Sequence, residues 1–188
     1  TTKDDKFYSN TFSVYNCTLL IISSAIIMIV KPFMQVYVGK DFISCWQYVP
    51  LLILGSIFQS YANFFGAIYT SAKKNTSIML TTSMAALINV ILNNLLIPSV
   101  GIQGAVIATA VAYFVVFIIR MIDSKKFVDF KINYFVTLFT LLLLSIQCLI
   151  TIYDVFVIPI SLLCFAILLF CNRRSMLRIF RKIKAYKK

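Results

Sequence analysis

SAKKNTSIML TTSMAALINV ILNNLLIPSV GIQGAVIATA VAYFVVFIIR, residues 71–120, is the stretch that decides the fold. Lys73 and Lys74 precede a long apolar run, and Arg120 closes a second run that is rich in small residues. A short segment, residues 98–101, separates the two runs with a proline and a glycine. About 20 apolar residues in a helix cross the ~30 Å hydrocarbon core of a membrane. The stretch therefore predicts a membrane-spanning hairpin with a tight turn and a positive charge at each free end.

The composition of the whole chain agrees with a membrane protein. Of its 188 residues, 61% are hydrophobic and 13% are charged, and the mean hydropathy is +0.91. Soluble domains average about 45–50% apolar and about 25% charged residues, so one soluble core cannot bury this excess. The chain contains no His, and all 6 of its acidic residues are Asp. The commonest general acids and metal ligands are therefore missing, and we expect no catalytic residue, no metal site and no cofactor.

Apolar runs of spanning length predict an all-α, polytopic membrane helix bundle with six transmembrane helices. These spans cover residues 11–30, 48–69, 77–97, 102–122, 134–153 and 155–171. No flexible linker divides them, so residues 1–171 are predicted to form one transmembrane domain. Residues 172–188 are strongly basic and predict an amphipathic helix on anionic lipid. No other feature favours nucleic acid as the partner of this tail.

The distribution of basic residues predicts the orientation of the spans. With the first polar residues in the cytoplasm, Lys31 and Lys40 fall outside, and every other Lys and Arg of the 18 falls inside. This asymmetry follows the positive-inside rule and places both termini of the segment in the cytoplasm. The first residue is Thr1 rather than Met, so we expect further residues upstream.

Four amide side chains are the candidates for a polar pathway. Gln59 and Asn63 belong to a polar stripe on the second span, and Asn89 and Asn93 belong to a weaker stripe on the third. Lipid cannot satisfy these amides, so both stripes should turn toward other helices or toward a water-filled cavity. Two interpretations stay open: the amides line a pathway, or they form hydrogen bonds that hold the helices together.

The fourth span combines small residues with a terminal cation. Gly101, Gly104, Ala108 and Ala112 predict close packing against a neighbouring helix, and the first of them also serves the turn. Arg120 stands at the inner end of this span. It is either an anchor that snorkels to the membrane surface or a contact for a phosphate group at a cavity mouth.

Residues 8–126 resemble the late spans of polysaccharide biosynthesis flippases of the multidrug/oligosaccharidyl-lipid/polysaccharide exporter superfamily. The elements that carry this resemblance are AKKN after a span, the Asn-rich LINVILNNLLIP, the turn ending in GIQGA, and Arg120. The upstream segment VYVGKDFISCWQYVPLLILGSIFQSY is also similar to the part of the family that precedes them.

The resemblance implies a transporter of the bacterial inner membrane. Family members flip an undecaprenyl-pyrophosphate-linked oligosaccharide, such as a repeat unit of O-antigen, capsule or exopolysaccharide, by alternating access. They have twelve or fourteen spans in two lobes, so this chain would correspond to the last six spans, with the N-terminal part of the same transporter as its partner. Gln59, Asn63, Asn89 and Asn93 then become cavity-lining candidates, and Arg120 becomes a candidate phosphate contact.

Three other functions are compatible with the sequence. A drug or cation antiporter of the same superfamily would usually need a carboxylate in the centre of a span, and none occurs here. A non-catalytic scaffold subunit would use the polar stripes for packing alone. A membrane-embedded transferase is a weaker option, because no motif of catalytic residues supports it.

Overall fold

The computed structural model describes residues 3–129, 132–154 and 157–186, and it confirms the all-α prediction. Within these ranges the chain forms α-helices and one 3₁₀ helix, with no strand. These elements are α1 Lys3–Tyr37, the 3₁₀ helix Lys40–Gln47, α2 Val49–Ser71, α3 Asn75–Val100, α4 Ile102–Ser124, α5 Tyr134–Ile152 and α6 Val157–Tyr186.

The helices are those of a multi-pass membrane protein. Helices α1 to α5 are each long and apolar enough to cross a membrane. The apolar part of α6, Val157–Arg173, is shorter. At about 1.5 Å per residue it reaches only the lower end of the spanning range, so the sixth span stays a prediction.

Three helix ends differ from the sequence prediction. Helix α1 continues through Pro32 to Tyr37, and α3 continues through Pro98, so the predicted turn at residues 98–101 shrinks to Gly101 alone. Residues 172–186 extend α6 without a break instead of forming a separate helix. The two prolines are tolerated because each removes a single backbone hydrogen bond near a helix end, where membrane helices can adjust locally.

The chain folds into two compact units. Unit 1 comprises Thr1–Pro50 and Phe130–Lys188, and unit 2 comprises Leu51–Asp129. In unit 1, helices α1, α5 and α6 pack against one another, and the 3₁₀ helix packs on α1. In unit 2, α3 packs along α4, and α2 also contacts α4.

A buried polar pair joins two helices of unit 1. The Ser24 hydroxyl donates to Oε1 of Gln147 at 2.7 Å, and Nε2 of Gln147 donates to the Ser24 carbonyl at 3.1 Å. Both side chains are fully buried. Because both polar atoms of the Gln147 side chain have a partner, the pair links α1 to α5 without leaving the buried amide unsatisfied.

At one end of unit 1, a cation links three elements. The Lys31 ammonium lies 2.5 Å from the Asp154 carboxylate, and it also sits 5.1 Å from the centre of the Trp46 ring. Trp46 is buried. Its indole face attracts the lysine cation, and this contact holds the 3₁₀ helix against α1.

Two tight connections set the order of the helices in unit 2. At the end of α2, Lys73 adopts a positive φ of 56°, and the Lys74 amide donates to the Tyr69 carbonyl at 2.8 Å. This is the Schellman arrangement that ends many helices. Gly101, with φ 64°, is the whole connection between α3 and α4. Such short connections make α3 antiparallel to both of its sequence neighbours.

Candidate functional site

Helix α4 presents glycine and alanine where its neighbours come closest. A Cβ added at Gly104 would lie 2.6 Å from the Leu96 carbonyl group of α3, and a Cβ at Gly55 of α2 would lie 3.3 Å from Cα of Ala110. Ala108 and Ala112 are buried. The small residues therefore let two helices approach α4 closely.

Gly101 has a different role from the other members of the predicted packing set. It is exposed, and a Cβ at this position would have no atom within 4 Å. Its contribution is the positive φ of the turn, a conformation that side chains disfavour.

A chain of hydrogen bonds connects α3 to α4. Asn93 donates from Nδ2 to Oδ1 of Asn89 at 3.0 Å, and Asn89 donates from Nδ2 to the Thr109 hydroxyl at 3.1 Å. Thr109 in turn donates to the Ala105 carbonyl at 2.9 Å. The two asparagines are both half-buried, so they lie at the helix contact rather than on the outer surface.

A cavity of about 260 Å³ lies beside this chain, between α3 and α4. None of the described residues that line it is charged, and hydroxyl, amide and methyl groups form its walls. The lining residues are Thr82, Ala85, Ala86, Asn89, Thr109, Ala112 and Tyr113. Such a wall can exchange hydrogen bonds with a neutral hydroxylated group and offers no ionic partner.

The predicted pathway residues occupy three different positions around the cavity. Asn89 lines it directly, and Asn93 is bonded to Asn89. Gln59 of α2 donates from Nε2 to the hydroxyl of Tyr113, a lining residue, at 3.1 Å. Asn63 lies on the exposed face of α2 and is not among the lining residues. Asn89 thus lines the cavity, Asn93 and Gln59 each bond to a lining residue, and Asn63 does neither.

Arg120 connects all three helices of unit 2. Its Nη1 donates to the Ala62 carbonyl of α2 at 3.0 Å, and its Nη2 donates to the Ile78 carbonyl of α3 at 3.2 Å. On α3, Nε donates to the Thr81 hydroxyl at 3.0 Å and Nη2 donates to the Thr82 hydroxyl at 2.9 Å. One guanidinium, which has five N–H donors, therefore donates all four of these hydrogen bonds.

The two threonines are oriented to accept these bonds. The hydroxyls of Thr81 and Thr82 donate to carbonyls one turn earlier in α3, at 2.8 Å in each case. Each hydroxyl has thereby used its own proton, so its lone pairs face the Arg120 guanidinium. Gly66 of α2 provides the space, because a Cβ there would lie 3.0 Å from Nη1 of Arg120.

This environment differs from the snorkelling interpretation of Arg120. The side chain is 4% exposed, so it does not snorkel out of unit 2. Among the residues that the structure describes, no carboxylate forms an ion pair with Arg120. A phosphate contact, which stays a prediction, would require the guanidinium to exchange its present partners for the anion.

The sequence contained a usable signal for this contact. Thr82 and Arg120 each stand 19 residues from Gly101, on opposite sides. In a tight antiparallel hairpin, positions equally distant from the turn face each other. The role of Gly66 had no comparable signal, since in sequence it is one small residue of the polar stripe on α2.

Comparisons with known proteins return no match. None is found among protein-family models, curated proteins or solved structures.

Proposed function

We propose that the chain is the C-terminal portion of a flippase for a lipid-linked oligosaccharide and that unit 2 supplies part of its polar pathway. The observation that carries this proposal is the cavity between α3 and α4, whose walls combine an amide and several hydroxyls with apolar groups, in a chain whose described residues form five helices of spanning length. The resemblance of residues 8–126 to polysaccharide flippases gives the substrate class, and the basic residues give the orientation in a bacterial inner membrane.

The chemistry of the cavity suits a sugar. Saccharide hydroxyls both donate and accept hydrogen bonds, and the Asn89 amide and the hydroxyls of Thr109 and Tyr113 can do the same. Flipping needs no covalent step, so the absence of charged lining residues is no obstacle. A neutral wall binds each sugar weakly enough for it to leave on the other side of the membrane.

The outer face of α3 offers a path for the lipid portion of such a substrate. Large apolar side chains on this face are exposed, including Leu80, Leu87, Ile91 and Leu95. These side chains suit contact with acyl or prenyl chains. A substrate could thus keep its prenyl tail in the bilayer while its saccharide passes through the neighbouring cavity.

One observation favours a second candidate, a non-catalytic scaffold subunit. Asn89, Gln59 and Arg120 are all hydrogen-bonded to groups on neighbouring helices. If packing were their only role, the cavity would be a gap left between small side chains. An antiporter has less support, because no carboxylate lines the cavity and ion coupling would usually require one in the membrane.

The experiment is deletion of the gene followed by analysis of undecaprenyl-linked repeat units in each leaflet of the inner membrane. The flippase proposal predicts that these units accumulate in the cytoplasmic leaflet and that the wild-type gene restores transport. Asn89→Leu should restore it poorly, because it removes a polar wall group, whereas Asn94→Leu, at an exposed position on the same helix, should restore it fully. Normal surface glycan in the deletion strain would refute the proposal.

The same strains separate the alternatives. Ion-dependent drug efflux that is lost on deletion, with normal glycan, would favour the antiporter. Complementation by Asn89→Leu as good as that by Asn94→Leu, together with loss of a partner protein from the membrane on deletion, would favour the scaffold.

A further inference from the structure

Unit 1 contains a second cavity, which the proposed pathway does not use. Its volume is about 420 Å³, and it lies between the first half of α1, the start of α5 and the second half of α6. It is larger than the cavity of unit 2, and its walls contain a charge. Asn172, Arg173 and Ser175 belong to the predicted basic tail, and no other lining residue was singled out from the sequence.

The cavity combines one cation with several buried polar side chains. Among the described residues that line it, Arg173 is the one that carries a charge. Asn16, Asn172 and Ser175 also line it, and each is less than one-tenth exposed. A ligand here would therefore meet amide and hydroxyl groups in the interior and a positive charge at the rim.

The position of the Arg173 guanidinium is defined by an aromatic ring. Its Cζ lies 4.8 Å from the centre of the Phe170 ring, at cation–π distance. Both side chains are exposed, so the edge of the guanidinium stays available to a ligand. A guanidinium of this kind can bind two oxygens of one phosphate through parallel hydrogen bonds.

The location of the rim favours a membrane lipid over a soluble anion. The apolar part of α6 ends at Arg173, and the chain that follows is strongly basic. This boundary between apolar and charged sequence corresponds to the depth at which lipid phosphates lie. Phe170 is 66% exposed on the apolar side of the same rim, where the glycerol and acyl part of a lipid would run.

We propose that this cavity binds the headgroup of an anionic phospholipid, with Arg173 contacting the phosphate. The site belongs to unit 1 and does not depend on the proposed flippase function. It predicts one specifically retained lipid, in addition to the lipids that any basic tail attracts.

The test is native mass spectrometry of the full chain, delipidated in a neutral detergent and titrated with phosphatidylglycerol or phosphatidylcholine. Wild-type protein should retain one phosphatidylglycerol in preference to phosphatidylcholine, and Arg173→Gln should weaken this binding by about tenfold. Lys73→Gln is the matched control, since it removes the same charge from unit 2 and should leave binding unchanged.

A cavity-filling variant keeps the proposal testable if Arg173→Gln does not fold. Ser13 lines the cavity, and its hydroxyl donates to the Ser9 carbonyl of the preceding turn in α1, a bond within one helix, so Ser13→Leu should fill the space and still fold. It should lower phosphatidylglycerol binding as Arg173→Gln does. The proposal would be overturned if Lys73→Gln weakened phosphatidylglycerol binding as much as Arg173→Gln does, or if neither cavity variant weakened it. Displacement of the lipid by excess inorganic phosphate would overturn the assignment to a lipid.

Discussion

Replacing Arg120 by Lys should destabilise unit 2 more than replacing it by Met. Arg120 is buried and makes four hydrogen bonds to α2 and α3. Lys keeps the buried charge but is a point donor without the planar fork, so several acceptors on two helices lose their partner. Met removes the charge together with the bonds, which relieves the desolvation penalty.

The expected magnitudes follow from these contacts. Hydrogen bonds from a charged donor contribute about 1.5–3 kcal/mol each, against a desolvation penalty of several kcal/mol for the guanidinium. Arg120→Met removes the charge together with its bonds, so the two effects partly offset and we expect a loss of about 1–3 kcal/mol in the free energy of unfolding. Arg120→Lys should lose about 3–5 kcal/mol, because it leaves a buried charge with incomplete pairing.

Gly66 supplies an independent check on the same contact. Gly66→Ala gains about 0.5–1 kcal/mol of helix propensity but places a Cβ 3.0 Å from Nη1 of Arg120. Met ends near the position of Nε, so this conflict is absent in Arg120→Met. The two changes should therefore couple by about 1 kcal/mol, with Gly66→Ala more favourable in the Met background. Gly39→Ala, which meets no atom within 4 Å, is the uncoupled control.

The assay is reversible unfolding of the full chain in mixed detergent micelles, followed by far-ultraviolet circular dichroism. Single and double variants are measured under identical conditions, so that only differences in unfolding free energy are compared. Arg120→Lys as stable as wild type, or Gly66→Ala having the same effect in both backgrounds, would refute the role of Arg120 as a link between three helices.

Three further predictions concern other contacts, each measured by the same unfolding assay. Gly104→Ala should lower the free energy of unfolding by about 1–3 kcal/mol because the added Cβ forces α3 away, and Gly104→Ser should lower it further. Gly101→Ala and Gly101→Ser should instead lower it equally, because only backbone strain acts at that position. Gln147→Leu should lower the free energy of unfolding by about 1 kcal/mol, because it removes both hydrogen bonds to α1. An unchanged free energy of unfolding would contradict this prediction. Lys31→Ala should lower the free energy of unfolding by less than about 1 kcal/mol, since Asp154 is half exposed. A larger decrease would contradict the assignment of the Lys31–Asp154 ion pair as a weak surface contact.

Hydropathy predicted the helices well because the physical requirement is simple. Any segment that crosses lipid must satisfy its backbone internally, so a long apolar run becomes a helix. The ends were harder to predict, because Pro32 and Pro98 lie inside helices that extend beyond the apolar runs. Sequence rules treat a proline as a helix boundary, although a proline near a helix end removes only one hydrogen bond.

Contacts within the α3–α4 hairpin were predictable in principle, and contacts between distant helices were not. The turn at Gly101 fixes the register, so Thr82 faces Arg120 and Gly104 meets the backbone of α3. Ser24 and Gln147 are separated by 123 residues. Their pairing depends on the packing of whole helices, for which periodicity gives a face but no partner.

The most direct measurement for the proposed pathway is the reactivity of a single cysteine at position 89. The five native cysteines are first replaced, and Asn89→Cys or Leu87→Cys is introduced into the protein in native membranes. The proposed pathway predicts that Cys at 89 reacts with a water-soluble thiol reagent and is protected by lipid-linked saccharide. Cys at 87, on the exposed apolar face of α3, should stay unreactive. An unreactive Cys at 89, or reactivity that the saccharide leaves unchanged, would contradict a saccharide pathway between α3 and α4.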